Sequence, residues 1–328
     1  MSHFVRRTFT VTTWLAVGWL ALLGALGALA PWLPLPYPPA VPDLLHVAEA
    51  PIWAGKATHW LGTDPQGRDV LAELIYGARQ LVSLSLPAAA LATGLGAATG
   101  GAVGFWGNKG LRISLATWLL LAAAGWWSLA LPGTPTVSWS LVGAAALAWG
   151  GRRRLGARVA WPLPLDSIFQ MAITLLGAVP RLVLVLAFAA GPTPTMQQLL
   201  LVLVLVAWPE PARQVRAQML RVRELPFVEA ARAAGVPTHQ VWYRHALPHA
   251  CWPLLATAPL SLAGLIGLES TLAFLGVGRA PDVPSWGNLL GTLQQEPGAW
   301  WVLAGAGGTL LLTLLALQQL ARQLASQK

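Results

Sequence analysis

The chain has 328 residues, 55% of them hydrophobic and only 10% charged, and its 21 Lys and Arg outnumber 12 Asp and Glu for a net charge of +9. That composition excludes an ordinary soluble globular domain and predicts a polytopic membrane protein. The basic residues fall in short clusters between apolar runs, so membrane orientation accounts for them better than nucleic-acid binding does.

In chain order, residues 11–30 follow Arg6 and Arg7 as a nearly uncharged run, and about 20 such residues span a ~30 Å hydrocarbon core. A cleavable signal peptide is the rival reading. The run is longer than a usual signal core, and the A-P-W-L-P-L-P-Y-P-P after it lacks a small-x-small site, which favours a retained anchor. Further spans are predicted at 81–106, 111–131, 136–150, 168–190, 195–217, 252–276 and 299–320, eight in all, with 136–150 short enough to be re-entrant. Seven of the 18 tryptophans (Trp32, Trp53, Trp60, Trp106, Trp286, Trp300 and Trp301) lie near run ends, where headgroup placement is expected. Gly96, Gly100 and Gly104 recur every four residues and predict a close helix-packing seam.

An even number of crossings puts both termini on one side. With that side cytoplasmic, 16 of the 21 basic residues collect there, including Arg152, Arg153, Arg154 and Arg158. Lys56, Arg68, Arg79 and Arg279 fall outside and Arg181 within a span, so the positive-inside rule favours cytoplasmic termini.

The external segment 31–80 contains H-W-L-G-T-D-P-Q-G-R-D-V-L-A-E-L-I-Y-G-A-R at 59–79. Asp64 before Pro65 suits a helix start, and Gly67 permits a turn if the helix begins instead at Asp69. Val70, Leu71, Leu74 and Ile75 then form an apolar stripe at helical spacing, as expected of an interfacial helix leading into the second span. On the cytoplasmic side, residues 227–234 are good helix formers ended by Gly235. Thr238 can cap a second short helix that Pro248 is expected to break.

A helix-turn-helix of this kind flanked by membrane spans suits a protein partner better than DNA. His245, His249 and Cys251 have partial metal-ligand spacing, but no fourth ligand is apparent and Pro248 interrupts the helix. The lone Cys251 excludes an intramolecular disulfide, and no C-x-x-C pair is present.

The segment E-A-A-R-A-A-G at 229–235, with A-L-P at 246–248, resembles the EAA coupling loop of ABC-importer permeases. L-G-T-D-P-Q-G-R-D at 61–69 and L-E-S-T-L-A-F-L-G-V-G-R-A-P-D-V-P-S-W-G-N-L-L at 268–290 resemble the second permease subunit of dipeptide, oligopeptide and nickel importers. The resemblance covers residues 1 to about 106 and about 163–328. It implies an all-α type I importer core of six transmembrane helices, to which an apolar hairpin at 107–162 is added.

The implied domains are 1–30, the tail and first helix; 31–80, the external segment with Gly62, Thr63, Asp64, Gly67, Arg68 and Asp69; 81–106, the second core span; 107–162, the insertion with its basic loop; and 163–328, the permease core with its coupling loop at about 224–249. The function implied is a permease forming half a translocation path for peptides, in a bacterial inner membrane. Nickel or another small solute is the alternative cargo, and a non-transporting structural subunit the alternative role. Implied partners are a second permease, two ATP-binding subunits, an extracytoplasmic binding protein and membrane lipid. No enzyme activity, metal or cofactor is expected in this chain, which has no G-x-x-x-x-G-K-[ST] loop, so ATP and Mg²⁺ belong to the separate ATPase.

Within the coupling loop the resemblance assigns ATPase contact to Glu229, Ala230, Ala231, Arg232, Gly235, Leu247 and Pro248. Ala246 departs from the aliphatic residue usual before Leu-Pro and is expected to loosen that contact. Ionisable groups within spans cost about 2.5–3.5 kcal/mol and need a reason. Arg181 and Glu269 are therefore candidates for the translocation path, Arg181 otherwise forming an ion pair, while Glu210 near a span end is read as solvated.

Overall fold

The computed structural model describes residues 10–51, 59–108, 112–114, 160–162, 164–189, 194–277 and 283–326. The first helix, α1 (Val11–Leu29), is apolar on nearly every side and closes in a 3₁₀ turn at Ala30–Trp32 that contains Pro31. Trp14 and Leu15 stay exposed along it, as a lipid-facing helix requires. Of the two starts open for the next helix, Asp69 is used. Its side chain accepts from the Ala72 N–H and caps α2 (Val70–Gln80), while Asp64 serves the turn before it.

Through a π-helical stretch at Leu81–Ser85, α2 continues into α3 (Leu86–Trp106), so the second apolar helix begins at Val70 and not at 81. Its 37 residues reach about 55 Å, well beyond the hydrocarbon core. The same device recurs after α8 (Pro226–Ala233). There α9 (Thr238–Gln240) runs through a π stretch at Val241–Ala246 into α10 (Leu247–Phe274), again 37 residues without a break. Pro248 therefore does not end the helix. A widened π turn lies immediately before it, as before Pro87, and accommodates a residue that lacks an N–H and carries a ring. Nor does Thr238 cap: Pro237 holds that position without a side-chain bond.

Two further expectations change. The run 168–190 is split into α4 (Leu165–Ala178) and α5 (Arg181–Ala189), bent by 81° at the Val179–Pro180 break. The run 195–217 becomes α6 (Met196–Ala207) and α7 (Pro209–Val222). Thr195 and Gln198 form a capping box that starts α6. Pro209 restarts the chain as an amphipathic helix carrying Glu210, Arg213, Arg216 and Arg221, too polar to extend an apolar span. After α11 (Trp286–Gly291), α12 (Trp300–Val302) leads through a π stretch at Leu303–Gly307 into α13 (Gly308–Ala325).

Among the described residues, four helices are long and apolar enough to cross a membrane, or five if the bent α4–α5 pair is one span. The expected run at 136–150 lies outside the described residues, as does 111–131 apart from Arg112–Ser114, which form a strand rather than the start of a span.

By its contacts the chain divides into two units, Met1–Gly101 with Leu175–Lys328, and Ala102–Thr174. The expected insertion at 107–162 falls inside the second range. There β1 (Arg112–Ser114) and β2 (Ala160–Pro162) pair antiparallel, Ile113 opposite Trp161, a short ladder that the all-helical expectation missed. Asn108 Oδ1 accepts from the Asp166 and Ser167 N–H groups, so chain leaving for the ladder and chain returning from it are joined at its base.

The larger unit has its core where α2–α3, α5, α6 and α10 meet, around Leu84, Ala88, Ala92, Val185, Leu203 and Leu265. Lipid is as apolar as leucine, so such helices associate by close van der Waals packing and need small residues at their crossings. Gly96 and Gly100 supply this. A Cβ on Gly96 would lie 2.8 Å from the Ala212 nitrogen, and one on Gly100 would strike the Ala212 carbonyl, so α3 lies backbone to backbone on α7. The expected glycine seam is thus a seam against α7 at both these positions.

Candidate functional site

Three regions of the larger unit carry polar chemistry, and α10 links them. The first is the 31–69 segment. Asp64 is fully buried and Arg68 nearly so. Arg68 Nε and Nη2 both donate to Asp64 Oδ2 at 2.8 Å, while Asp64 Oδ1 accepts from the Gln66 and Arg68 N–H groups at 2.8 Å. Charge-assisted bonds of this kind close the D-P-Q-G-R loop on itself. Gly67, at φ +79°, turns the chain, and a Cβ there would meet the Asp43 carbonyl at 2.5 Å. Thr63 and Glu49 bond reciprocally, and Trp301 Nε1 donates to the Thr63 carbonyl at 2.9 Å. Gly62, at φ +76°, leaves room for the Glu49 carbonyl. All six motif residues named from the sequence are therefore structural parts of one knot.

That knot joins the second motif. Trp286 was expected near the headgroups, but only 3% of it is exposed: Gly77 leaves a notch for its indole, and Nε1 donates to the Leu74 carbonyl at 3.0 Å. Gly287 lies against the Ser270 carbonyl of α10, and Ser285 caps α11 through the Asn288 N–H. Glu269 borders a small pocket with Gln80, Ser285 and Asn288 beside this junction.

Sequence reasoning missed a second layer. His59 is 96% buried, stacks on Tyr37 at 3.9 Å and is bonded through Nδ1 to Asp69 Oδ1 at 2.9 Å. Its Nε2 faces Asp43 Oδ2 at 3.5 Å, and His46 Nδ1 lies 2.8 Å from that same oxygen. The His46 contact holds the Asp43 carboxyl below its ordinary range, and the Asp43 carboxylate raises His46. Glu73, fully buried, accepts from the Ala40 N–H through Oε1, while Oε2 lies 4.0 Å from Arg68 Nη1 without a hydrogen bond. His59 stood inside the motif read as a helix start, and D-L-L-H at 43–46 offered two ligand types three residues apart.

The second region is a cavity of about 460 Å³ bordered by α5, α6, α7 and α10. Arg181 Nη2 lies 4.0 Å from Glu210 Oε2, Gln214 Nε2 donates to Glu210 Oε1 at 3.4 Å, and Thr257 Oγ1 donates to Gln214 Oε1 at 2.8 Å. This polar chain runs along an otherwise apolar wall that includes Val206, Leu260, Leu265 and Leu268. Glu210 is consequently an ion-pair partner as well as half-exposed, and Arg181 and Glu269 line different cavities.

The third region is the turn between α8 and α9. Gly235, at φ +77°, ends α8 in a Schellman arrangement: its N–H donates to the Arg232 carbonyl, and the Val236 N–H to that of Ala231. Only Val228 of α8 is fully buried, and Phe227 rests on His249 at 4.8 Å between ring centres. Glu229, Ala230, Arg232, Ala234 and Gly235 are exposed, and nothing lies within 4 Å of a Cβ placed on Gly235. Among the described residues, the surface around Gly235 is thus open.

Ala246 is fully buried in the π stretch that α8 packs against, so its small side chain fits the turn closely. Leu247 reaches α3, where a Cβ on Gly101 would lie 2.5 Å from its Cδ1. Among the described residues, His245, His249 and Cys251 form no cluster of metal-ligand atoms; Asp43, His46 and His59 do.

The model for binding-protein-dependent transport system inner membrane components matches residues 154–325. A Brucella suis protein described as a peptide permease is 30% identical over 289 residues, 86% of this chain and 75% of the relative. The di/tripeptide transport system permease protein of Pseudomonas aeruginosa is 27% identical over 291 residues, 88% of this chain and 78% of that protein. Another Brucella suis protein, described as a peptide transport system permease, is 30% identical over 192 residues, 58% and 65% of the two chains.

Proposed function

The chain belongs to the binding-protein-dependent transport system inner membrane components, and from that membership we propose that it forms half of a translocation path for short peptides. The observation that carries this reading is the Arg181–Glu210–Gln214–Thr257 chain facing a cavity bordered by α5, α6, α7 and α10. A peptide carries both charge signs and a row of amide donors and acceptors, and it needs a wall that offers both. Two relatives described by peptide transport share most of their length with this chain, which favours peptides over nickel or another small solute.

The α8 turn is the coupling contact. Its exposed backbone takes the groove of a separate ATPase subunit, with Glu229 and Arg232 offering charge and Ala230, Ala231 and Gly235 permitting close approach. Val228, Leu247 and Pro248 carry its displacement into α10 and, through Gly101, into α3. ATP closure of two such subunits re-orients the helices around the path in alternating access, with Mg²⁺ and hydrolysis confined to the ATPases. The 31–69 knot faces the extracytoplasmic binding protein, both termini lie in the cytoplasm of a bacterial inner membrane, and a second permease completes the path.

The test is reconstitution of this chain with its second permease, ATPases and binding protein in liposomes. Accumulation of labelled di- and tripeptides that requires ATP is expected. Uptake of Ni²⁺ without peptide uptake, or no transport by an assembled complex, would overturn the reading.

A further inference from the structure

We propose that Asp43, His46 and His59 form a binding site for a divalent first-row cation, of which Zn²⁺ is the representative. One ligand atom from each residue lies within 4.8 Å of those of the other two, and Asp43 Oδ2 is 2.8 Å from His46 Nδ1 and 3.5 Å from His59 Nε2. Tetrahedral zinc with bonds near 2.0–2.1 Å places its ligand atoms about 3.3 Å apart. The His59–Asp43 spacing of 3.5 Å already fits, the 2.8 Å His46–Asp43 contact has to open slightly, and His46 to His59 starts within 4.8 Å. The His46 and Asp43 side chains are 31% and 28% exposed, so the ligands that must adjust also leave an entry path.

His59 is the independent observation. Its side chain is 98% buried, and its Nε2 makes no hydrogen bond. Nδ1 faces the Asp69 carboxylate, which can only accept, so Nδ1 carries the proton and Nε2 presents a lone pair. That lone pair lies 3.5 Å from a carboxylate oxygen, and a cation between two such acceptors relieves their repulsion. Asp69 supplies the outer carboxylate that orients a metal-bound imidazole and raises its basicity. Stacking on Tyr37 fixes the ring plane.

Two imidazoles and one carboxylate suit a borderline cation, not Ca²⁺ or Mg²⁺, which prefer all-oxygen cages. Three protein ligands also leave one coordination position open to water or to a partner's side chain. A bound ion would clamp the 43–46 turn onto the segment that caps α2.

The full-length chain, purified with a tag free of histidine and stripped by chelator, is titrated with Zn²⁺ against a chromophoric competitor and with Co²⁺ read by visible absorption. One Zn²⁺ per chain is expected at micromolar affinity or better, with a rise in melting temperature and Co²⁺ ligand-field bands. His46→Ala and Asp43→Asn change half-exposed positions and should each weaken binding by about 100-fold. Asp69→Asn retains a helix cap and should weaken it about 10- to 100-fold. Absence of saturable binding would overturn the site, as would equal binding by wild type and all three variants.

Discussion

The 31–69 knot and the α8 turn are both polar segments set between apolar helices, yet they are built in opposite ways. In the knot, Asp64 and Glu73 are fully buried, Arg68 and Asp69 95% so, and most of their polar atoms bond within the chain. In the turn, Glu229, Ala230, Arg232 and Gly235 face outward, and one fully buried side chain, Val228, seats the helix. Burial of charge is tolerable only with partners in place, whereas an exposed turn costs little alone and offers surface to another protein. Rigidity therefore lies in the knot and contact in the turn: substitutions in the knot should be read in stability, and substitutions in the turn in coupling.

The largest expected effect is at Asp64. Asp64→Ala removes the carboxylate oxygen that takes both the Nε and Nη2 donors of buried Arg68, a loss of about 3–5 kcal/mol. A large fall in the melting temperature of the detergent-purified protein checks it. Glu229→Ala should leave that temperature unchanged, and similar shifts for the two would erase the contrast.

Next is Gly77→Val, which places methyl groups in the Trp286 indole and should cost about 1–3 kcal/mol. Adding Trp286→Ala should recover part of that loss, because the two substitutions share one clash. Strict additivity would mean that the notch is not what binds the two motif stretches.

Smaller again is Arg181→Gln. Its side chain is 60% exposed beside Glu210, so folding should be untouched while peptide uptake falls severalfold at matched protein levels. Full uptake with unaltered substrate preference would remove Arg181 from the path.

Much of this arrangement was legible in the sequence, and its omissions have physical causes. The glycine spacing at 96 and 100 announced a close crossing because four residues return a helix to the same face. Gly235 was readable as a helix end, since a C-terminal Schellman turn demands a positive φ. Pro248 misled because the rule that proline breaks a helix assumes an α register, and a π stretch precedes it here. The run 195–217 misled for a different reason: mean apolarity conceals that Pro209 and Pro211 open an amphipathic helix.

Long-range pairings left no local trace. Nothing in the spacing of Asp43 and His59 says that their side chains meet, nor that Gly77 makes room for Trp286 more than 200 positions later. Glu210, placed near a span end, is exposed as that position implies, but its ion pair with Arg181 of another helix left no local trace.

In the proposed coupling the α8 turn transmits another protein's ATP cycle into α10 and α3, and Gly235→Glu in the reconstituted transporter probes that step. Gly235 has open space around it, so the substitution meets only the strain of a positive φ, about 1 kcal/mol. ATP hydrolysis that persists without ATP-dependent peptide accumulation, in a complex of normal abundance and nearly normal melting temperature, is the predicted result. Uptake tightly linked to hydrolysis at the wild-type ratio would contradict it.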